Sequence, residues 1–260
     1  YRVRRQFIAP GMKVTVVGMS GTFPGPHSGC SSYLVEHDGF RLLLDIGNGS
    51  TGALQDVCGL LELDAVAISH LHGDHFLDLI TYTYARRYHP AGNPPPLPVY
   101  GPSTIYEGIV GAYARDVHEL LAEVYEFNPV AENGVRQIGP FEVSFHLVNH
   151  PVETYAMRVS AGGRTVAYSA DTGECEELVG LARDVDLFLC EASYLDGEPN
   201  PPGVHLTGLQ AGEYAMRAGA KRLMLTHLVP WGDPARTLAE AQRSYDGEVL
   251  VARPLDSYDV

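Results

Sequence analysis

The apolar positions of this chain come in short runs cut by Gly-rich or polar turns. Lys13-Val14-Thr15-Val16-Val17-Gly18, Ser32-Tyr33-Leu34-Val35-Glu36 and Phe40-Arg41-Leu42-Leu43-Leu44-Asp45 predict three paired strands. A helix-like stretch follows from Ser50 to Leu61, then an apolar strand, Ala65-Val66-Ala67-Ile68-Ser69, ending at His70, and a second helical pattern from Phe76 to Tyr88. The prolines between Ala91 and Pro98 predict a loop without regular structure. The alternation resumes with strands predicted at 141–148, 155–159, 165–169, 187–191 and 222–226, and helical stretches near 174–183, 209–218 and 235–245. Two β-rich halves with interspersed helices predict an α/β fold of packed sheets covered by helices. No linker divides residues 12–260, so one domain is expected there, with residues 1–11 an N-terminal extension or cloning remnant.

Composition narrows the class. With 45% hydrophobic and 19% charged residues, the chain is an ordinary globular one. Its longest apolar runs, such as Leu42-Leu43-Leu44 and Leu187-Phe188-Leu189-Cys190, are far below the roughly 20 residues of a membrane helix, so no membrane partner is expected. A net charge of −14 repels nucleic-acid polymers unless basic residues cluster, and the one cluster is Arg2, Arg4 and Arg5. No apolar stretch follows those arginines as a signal peptide requires, and a cytoplasmic location is expected. Cys30, Cys58, Cys175 and Cys190 show no C-x-x-C pairing and are expected to be free thiols.

The chemistry concentrates in His70-Leu71-His72-Gly73-Asp74-His75, where an apolar strand ends and a helical pattern begins. Residues two apart at a strand end point to the same side, so His70 and His72 can share a metal, while Gly73 permits a turn that aims Asp74 and His75 at a neighbouring position. Further ligand-type residues follow later strands: His150, Asp171 and His227. One rim of the sheets would collect them all.

These residues resemble the H-x-H-x-D-H motif, and the later His, Asp and His, of the metallo-β-lactamase superfamily. The resemblance implies an αβ/βα sandwich with mixed sheets. It implies two divalent metals, with His70, His72 and His150 on the first, Asp74, His75 and His227 on the second, and Asp171 bridging. Zinc is the expected ion, with manganese or iron sharing the donor preference. Within the superfamily, Leu189-Cys190-Glu191-Ala192-Ser193 and His205-Leu206-Thr207-Gly208 resemble the ribonuclease Z-like branch, which implies that Glu191 supports His205 beside the scissile phosphate. The competing reading has His205 merely cap the next helix. Ribonuclease Z enzymes carry a long tRNA-binding arm between the ligands matching His150 and Asp171, and the short span here has no room for one. Gly21-Thr22-Phe23-Pro24-Gly25-Pro26, Asp45-Ile46-Gly47-Asn48-Gly49 and Asn200-Pro201-Pro202-Gly203 resemble a compact actinobacterial group related to atypical cyclic-nucleotide phosphodiesterases.

The expectation is therefore a dinuclear metal hydrolase that opens a small phosphodiester, a 3′,5′-cyclic nucleotide first, through a metal-bridging hydroxide. Asp74, His205 and Glu191 are the expected catalytic residues. The alternatives are a lactone or thioester hydrolase on the same centre, or an RNA-processing nuclease. A homodimer is possible by the same resemblance. His27, in the loop after the first strand, is a weaker candidate for substrate contact, and Tyr82, Tyr84, Tyr88 and Tyr194 are weighed between base stacking and the core.

Overall fold

The computed structural model describes residues 11–92, 94–113 and 116–260. The proposed N-terminal extension therefore lies, apart from Gly11, outside the described residues. In chain order the first part comprises β1 (Lys13–Ser20), β2 (Gly29–Cys30), β3 (Ser32–His37), β4 (Phe40–Leu44), α1 (Ser50–Val57), β5 (Ala65–Ala67), α2 (Gly73–Phe76), α3 (Asp78–Arg87), β6 (Leu97–Gly101), α4 (Ile105–Gly111), α5 (His118–Val124) and β7 (Tyr125–Pro129). The second comprises β8 (Gly134–Ile138), β9 (Phe141–Leu147), β10 (Tyr155–Ala161), β11 (Arg164–Tyr168), α6 (Glu177–Leu181), β12 (Leu187–Glu191), α7 (Gly208–Ala218), β13 (Arg222–Thr226), α8 (Pro234–Ser244), β14 (Glu248–Val251) and β15 (Ser257–Asp259). One sheet runs β15-β1-β3-β4-β5-β6-β7 with β2 beside β1, and the other runs β14-β13-β12-β11-β10-β9-β8. Both are mixed: β4 to β7 and β11 to β14 are parallel, while β1, β3 and β4, and β8 to β11, pair antiparallel.

The apolar runs explain the layering. In β4, Leu42 and Leu44 enter the core between the sheets, whereas Leu43 joins a second core against α1, α3, α4 and α5. In β12, Leu187 and Leu189 face the first core, and Phe188 and Cys190 face a third, shared with α6, α7 and α8. Successive strand residues point to opposite faces, so a strand apolar at every position has to be covered on both sides. The result is the expected αβ/βα sandwich.

Several elements depart from the sequence pattern. Strand β6 starts at Leu97, inside the stretch 91–98 expected to be a loop. Pro98 brings no N–H to the ladder, but Leu97 and Val99 are buried in the outer core, and their burial outweighs that loss. The expected helix over 76–88 is α3, and the short α2, which no pattern announced, precedes it. Between Pro98 and Phe141 the pattern assigned no elements, and the chain forms α4, α5, β7 and β8 there. Helix α5 buries only Leu121 and Val124 over about two turns, too few to show a period. Among the described residues, no helix is long and apolar enough to cross a membrane.

The site-bearing residues follow strand C-termini. Asp45 comes directly after β4, His70 shortly after β5, His150 after β9, Asp171 after β11 and His227 directly after β13, while Glu191 ends β12. Parallel strands end at one edge, which is why residues so distant in sequence converge.

Candidate metal centre

Two groupings of ligand-type atoms meet at Asp171. His70, His72, His150 and Asp171 form one, and Asp74, His75, Asp171 and His227 the other, with all donor atoms of each within 4.8 Å of one another. In the second, Nε2 of His75 and His227 are 3.2 Å apart and lie 3.1 and 3.2 Å from Asp171 Oδ1. Asp74 Oδ2 stands 3.1 Å from His227 Nε2 and 3.7 Å from His75 Nε2. A tetrahedral ion with ligands at about 2.0–2.1 Å has ligand–ligand edges of about 3.3 Å, so these atoms already mark its corners. In the first grouping, His150 Nε2 and His72 Nδ1 are 3.2 Å apart, and His70 Nε2 is 3.7 Å from Asp171 Oδ2. His70 Nε2 is buried without a hydrogen-bond partner. Such an orphaned atom is costly in a protein interior, and a cation would satisfy it. The clustered His and Asp side chains suit a divalent metal.

Protonation follows burial and charge. Burial holds His70, His72 and His150 below the usual imidazole range, the neutral form a metal needs. Burial also opposes charge on His75, but Asp171 and Asp45 outweigh it and keep that ring cationic, a proton standing where a metal would bind. Burial works against ionised Asp74 and Asp171 too, and the facing His227 and His75 nevertheless drive both well below the ordinary carboxylate range.

An outer ring of partners fixes the imidazoles. Buried Asp45 accepts from His75 Nδ1 at 2.7 Å, from Tyr168 Oη at 2.7 Å and from Ser69 Oγ at 2.8 Å. Ser69 Oγ in turn accepts from His70 Nδ1 at 3.0 Å. One carboxylate thus turns Nε2 inward on a histidine of each grouping. His150 Nδ1 donates to the Val204 carbonyl at 2.9 Å, and Ser193 Oγ lies 2.8 Å from His227 Nδ1. Asp45 and Ser193 were missed as site residues. A carboxylate closing a strand, in Asp45-Ile46-Gly47-Asn48-Gly49, was the available signal for the first.

Backbone strain concentrates here as well. Asp45, Ala170 and His227 adopt left-handed φ values of 59°, 51° and 55°, a conformation that costs a non-glycine residue about 1–2 kcal/mol. Packing also demands glycine at 47: a Cβ there would collide with the Asp74 carbonyl oxygen. At Gly21 a Cβ would come within 2.7 Å of the His227 carbonyl oxygen and 2.8 Å of its ring.

His205 and Glu191 stand beside the groupings. His205 Nδ1 donates to Glu191 Oε1 at 2.8 Å, and its ring centre is 5.2 Å from that of His227 and 5.6 Å from that of His150. Fully buried Glu191 also accepts from the backbone N–H of Thr172 at 2.8 Å and from Ser193 Oγ at 3.1 Å. Burial disfavours the imidazolium of His205, yet Glu191 prevails and pushes its pKa up to about 9. The helix-cap reading of His205 is overturned: Thr207 caps α7, accepting from Gln210 N in a capping box. The remaining histidines, His27, His37, His89, His118 and His146, fall outside these clusters among the described residues. Of the tyrosines, Tyr82 is core, Tyr84 and Tyr88 are exposed and stack on each other, and Tyr194 sets its ring edge-on to His205, 5.1 Å away.

The comparisons with known proteins agree with this arrangement. The family model of the beta-lactamase superfamily domain matches residues 41–228. The chain is 37% identical over 243 residues to the Mycobacterium tuberculosis protein Rv1339, covering 92% of this chain and 88% of that one. It is 30% identical over 244 residues to the probable metallo-hydrolase YhfI of Bacillus subtilis, with 93% and 97% covered. The crystal structure of YhfI, a metallo-beta-lactamase fold protein, superposes with a TM-score of 0.88 over 96% of this chain and 100% of that one, at 29% identity. Human tRNase Z, short form, shares the fold at 22% identity, with a TM-score of 0.74 over 95% and 98%. A hydrolase of this kind is what the His/Asp cluster is built for, and the chain belongs to the metallo-β-lactamase superfamily.

Proposed function

We propose that this hydrolase is a dinuclear, metal-dependent phosphodiesterase for small substrates, with a 3′,5′-cyclic nucleotide first among them. The observation that carries this reading is the Glu191–His205 pair: a buried carboxylate holds a cationic imidazole against both ligand groupings. Phosphodiester cleavage leaves a poor alkoxide, and a positioned proton donor at that oxygen is what the reaction lacks without enzyme.

His70, His72 and His150 would hold one cation, Asp74, His75 and His227 the other, and Asp171 both. Two divalent cations, when bound, supply a nucleophile from water near neutral pH and neutralise the phosphoryl oxygens. Zinc is the proposed ion because the donors are imidazole and carboxylate, and manganese or iron would be accepted by the same set. Asp74 Oδ2 accepts the Thr22 backbone N–H at 2.6 Å, which fixes the carboxylate where it would orient the attacking water. His205 spends Nδ1 on Glu191 and presents Nε2 to the leaving oxygen.

The span between His150 and Asp171 supports a small substrate over an RNA polymer. It is taken up by the β10–β11 hairpin, which turns at Gly162 and Gly163. The net charge of −14 points the same way.

The test is hydrolysis of 3′,5′-cyclic AMP by the metal-loaded protein beside a linear phosphodiester and a lactone. Saturable cyclic-nucleotide turnover is expected, abolished in Asp74→Ala and lowered about 10²- to 10⁴-fold in kcat by His205→Ala. Silence on both phosphodiesters with lactone turnover would overturn the reading.

A further inference from the structure

Two aromatic rings stand in the open beside the metal centre. Trp231, the single tryptophan of the chain, is 71% exposed, and Phe23 is 40% exposed. Their ring centroids are 4.9 Å apart with planes tilted by 31°. They come from opposite ends of the sequence, so the contact is made by folding, and each loop is tied to a ligand residue. Phe23 follows Thr22, whose N–H donates to Asp74 Oδ2 at 2.6 Å. Thr22 takes a left-handed φ of 69° to do so, which turns the chain sharply just before Phe23. Trp231 lies four residues beyond His227. The loops are pinned together by Gly21 N–H to the Leu228 carbonyl and Leu228 N–H to the Met19 carbonyl, both at 3.1 Å.

Trp231 also lines a cleft of about 330 Å³ that extends to Ser193 and Tyr194, within the size range of small-molecule sites. Those two residues touch histidines of the site from outside, Ser193 at His227 Nδ1 and Tyr194 at the His205 ring. Glu198 and Arg236, ion-paired at 2.9 Å, give the same cleft a polar wall. An exposed indole on a loop tied to the ligand-bearing segments offers a π-face near the metal centre, and a planar heteroaromatic base is the chemistry that uses one.

We propose that Phe23 and Trp231 form the base-binding platform of the substrate site, with the base stacked on the Trp231 indole at the mouth of this cleft. The proposal rests on the phosphodiesterase reading for its substrate class. It makes these two residues determinants of affinity and selectivity, with no part in bond cleavage.

The lone tryptophan gives a readout independent of turnover. Metal-loaded protein is titrated with adenosine 5′-monophosphate and, separately, with ribose 5-phosphate, while tryptophan emission is followed. Saturable quenching by the nucleotide and none by the sugar phosphate is expected. In parallel, Trp231→Leu and Phe23→Leu are expected to raise KM for cyclic AMP roughly tenfold while kcat stays within about twofold. Cyclic-nucleotide turnover without quenching and without a KM change would overturn the platform and leave the phosphodiesterase reading standing. Quenching by the nucleotide with no phosphodiester turnover would support the platform and sink that reading. A change from dimer to monomer in sedimentation of Trp231→Leu, with KM unchanged, would also overturn the platform and assign the rings to an interface between copies of this chain.

Discussion

The two ligand groupings share Asp171 and otherwise differ in charge. His70, His72 and His150 contribute three imidazoles that burial keeps neutral. The second grouping adds Asp74 to Asp171 and holds His75 cationic in the metal-free protein. Their supports differ too: His150 leans on one backbone carbonyl, whereas His75 is fixed by a buried carboxylate and His227 by a serine tied to Glu191. Ligand charge and outer support both raise metal affinity, so equal donor counts do not make equal sites. The more anionic grouping would hold its ion more tightly.

The largest effect that would break this comparison comes from Asp171, the donor common to both sides. Asp171→Ala is expected to lower retained metal from near two per chain to below one and to cut phosphodiester turnover by more than about a thousandfold; metal analysis showing two retained ions would refute the bridging role. Next comes Asp45, which orients one histidine of each grouping. Asp45→Asn should weaken metal binding about 10- to 100-fold on both sides, whereas Ser193→Ala should weaken only the second, which competitive chelator titrations of the two variants resolve. A smaller effect sharpens the ranking: graded chelation of the wild-type protein should release metal in two steps, and Asp74→Asn should merge them. A single step in the wild type would remove the distinction.

The smallest expected effect is on stability against pH, measured by denaturant unfolding of the metal-free protein. His70, His72 and His150 have folded pKa values below the unfolded value near 6.5, so the unfolded chain gains protons first and stability declines as pH falls below about 6.5. His205 is the opposite case. With a folded pKa of about 9, its pairing with Glu191 contributes fully below about 6.5 and is lost as pH rises through about 9. His75, also held above the usual range, adds to the same limb, so His205→Asn should make the alkaline limb shallower without abolishing it, and an unchanged alkaline limb in that variant would show that the pair contributes no stability.

What could be read from the sequence follows from how local each signal is. His70-Leu71-His72-Gly73-Asp74-His75 is legible because four ligand-type residues share one turn, and His150, Asp171 and His227 because each follows an apolar strand. Leu42-Leu43-Leu44 and Leu187-Phe188-Leu189-Cys190 were legible as strands, and the alternation of strands and helices as packed sheets, while the burial of both faces is seen only in the packed cores. The region from Pro98 to Phe141 was not legible, since helices of seven residues and edge strands with exposed charges carry too few apolar positions to establish a period. Tyr84 and Tyr88, weighed with Tyr82 as core, are four residues apart and share the exposed face of this segment, while Tyr82 lies on the covered one.

By itself the sequence determined the inventory: which residues can ligate, the layered fold that sends strand ends to one edge, and a net charge unsuited to nucleic-acid polymers. Tertiary structure alone decided the supports and the surroundings. That Asp45 serves His70 through Ser69 and His75 directly, that Thr207 frees His205 from capping, and that Phe23 meets Trp231 beside the centre all depend on side chains far apart in the chain reaching hydrogen-bond or van der Waals distance. Such contacts act over about 3–5 Å and leave no trace in local spacing, because register, twist and loop path set them only after the two sheets have packed.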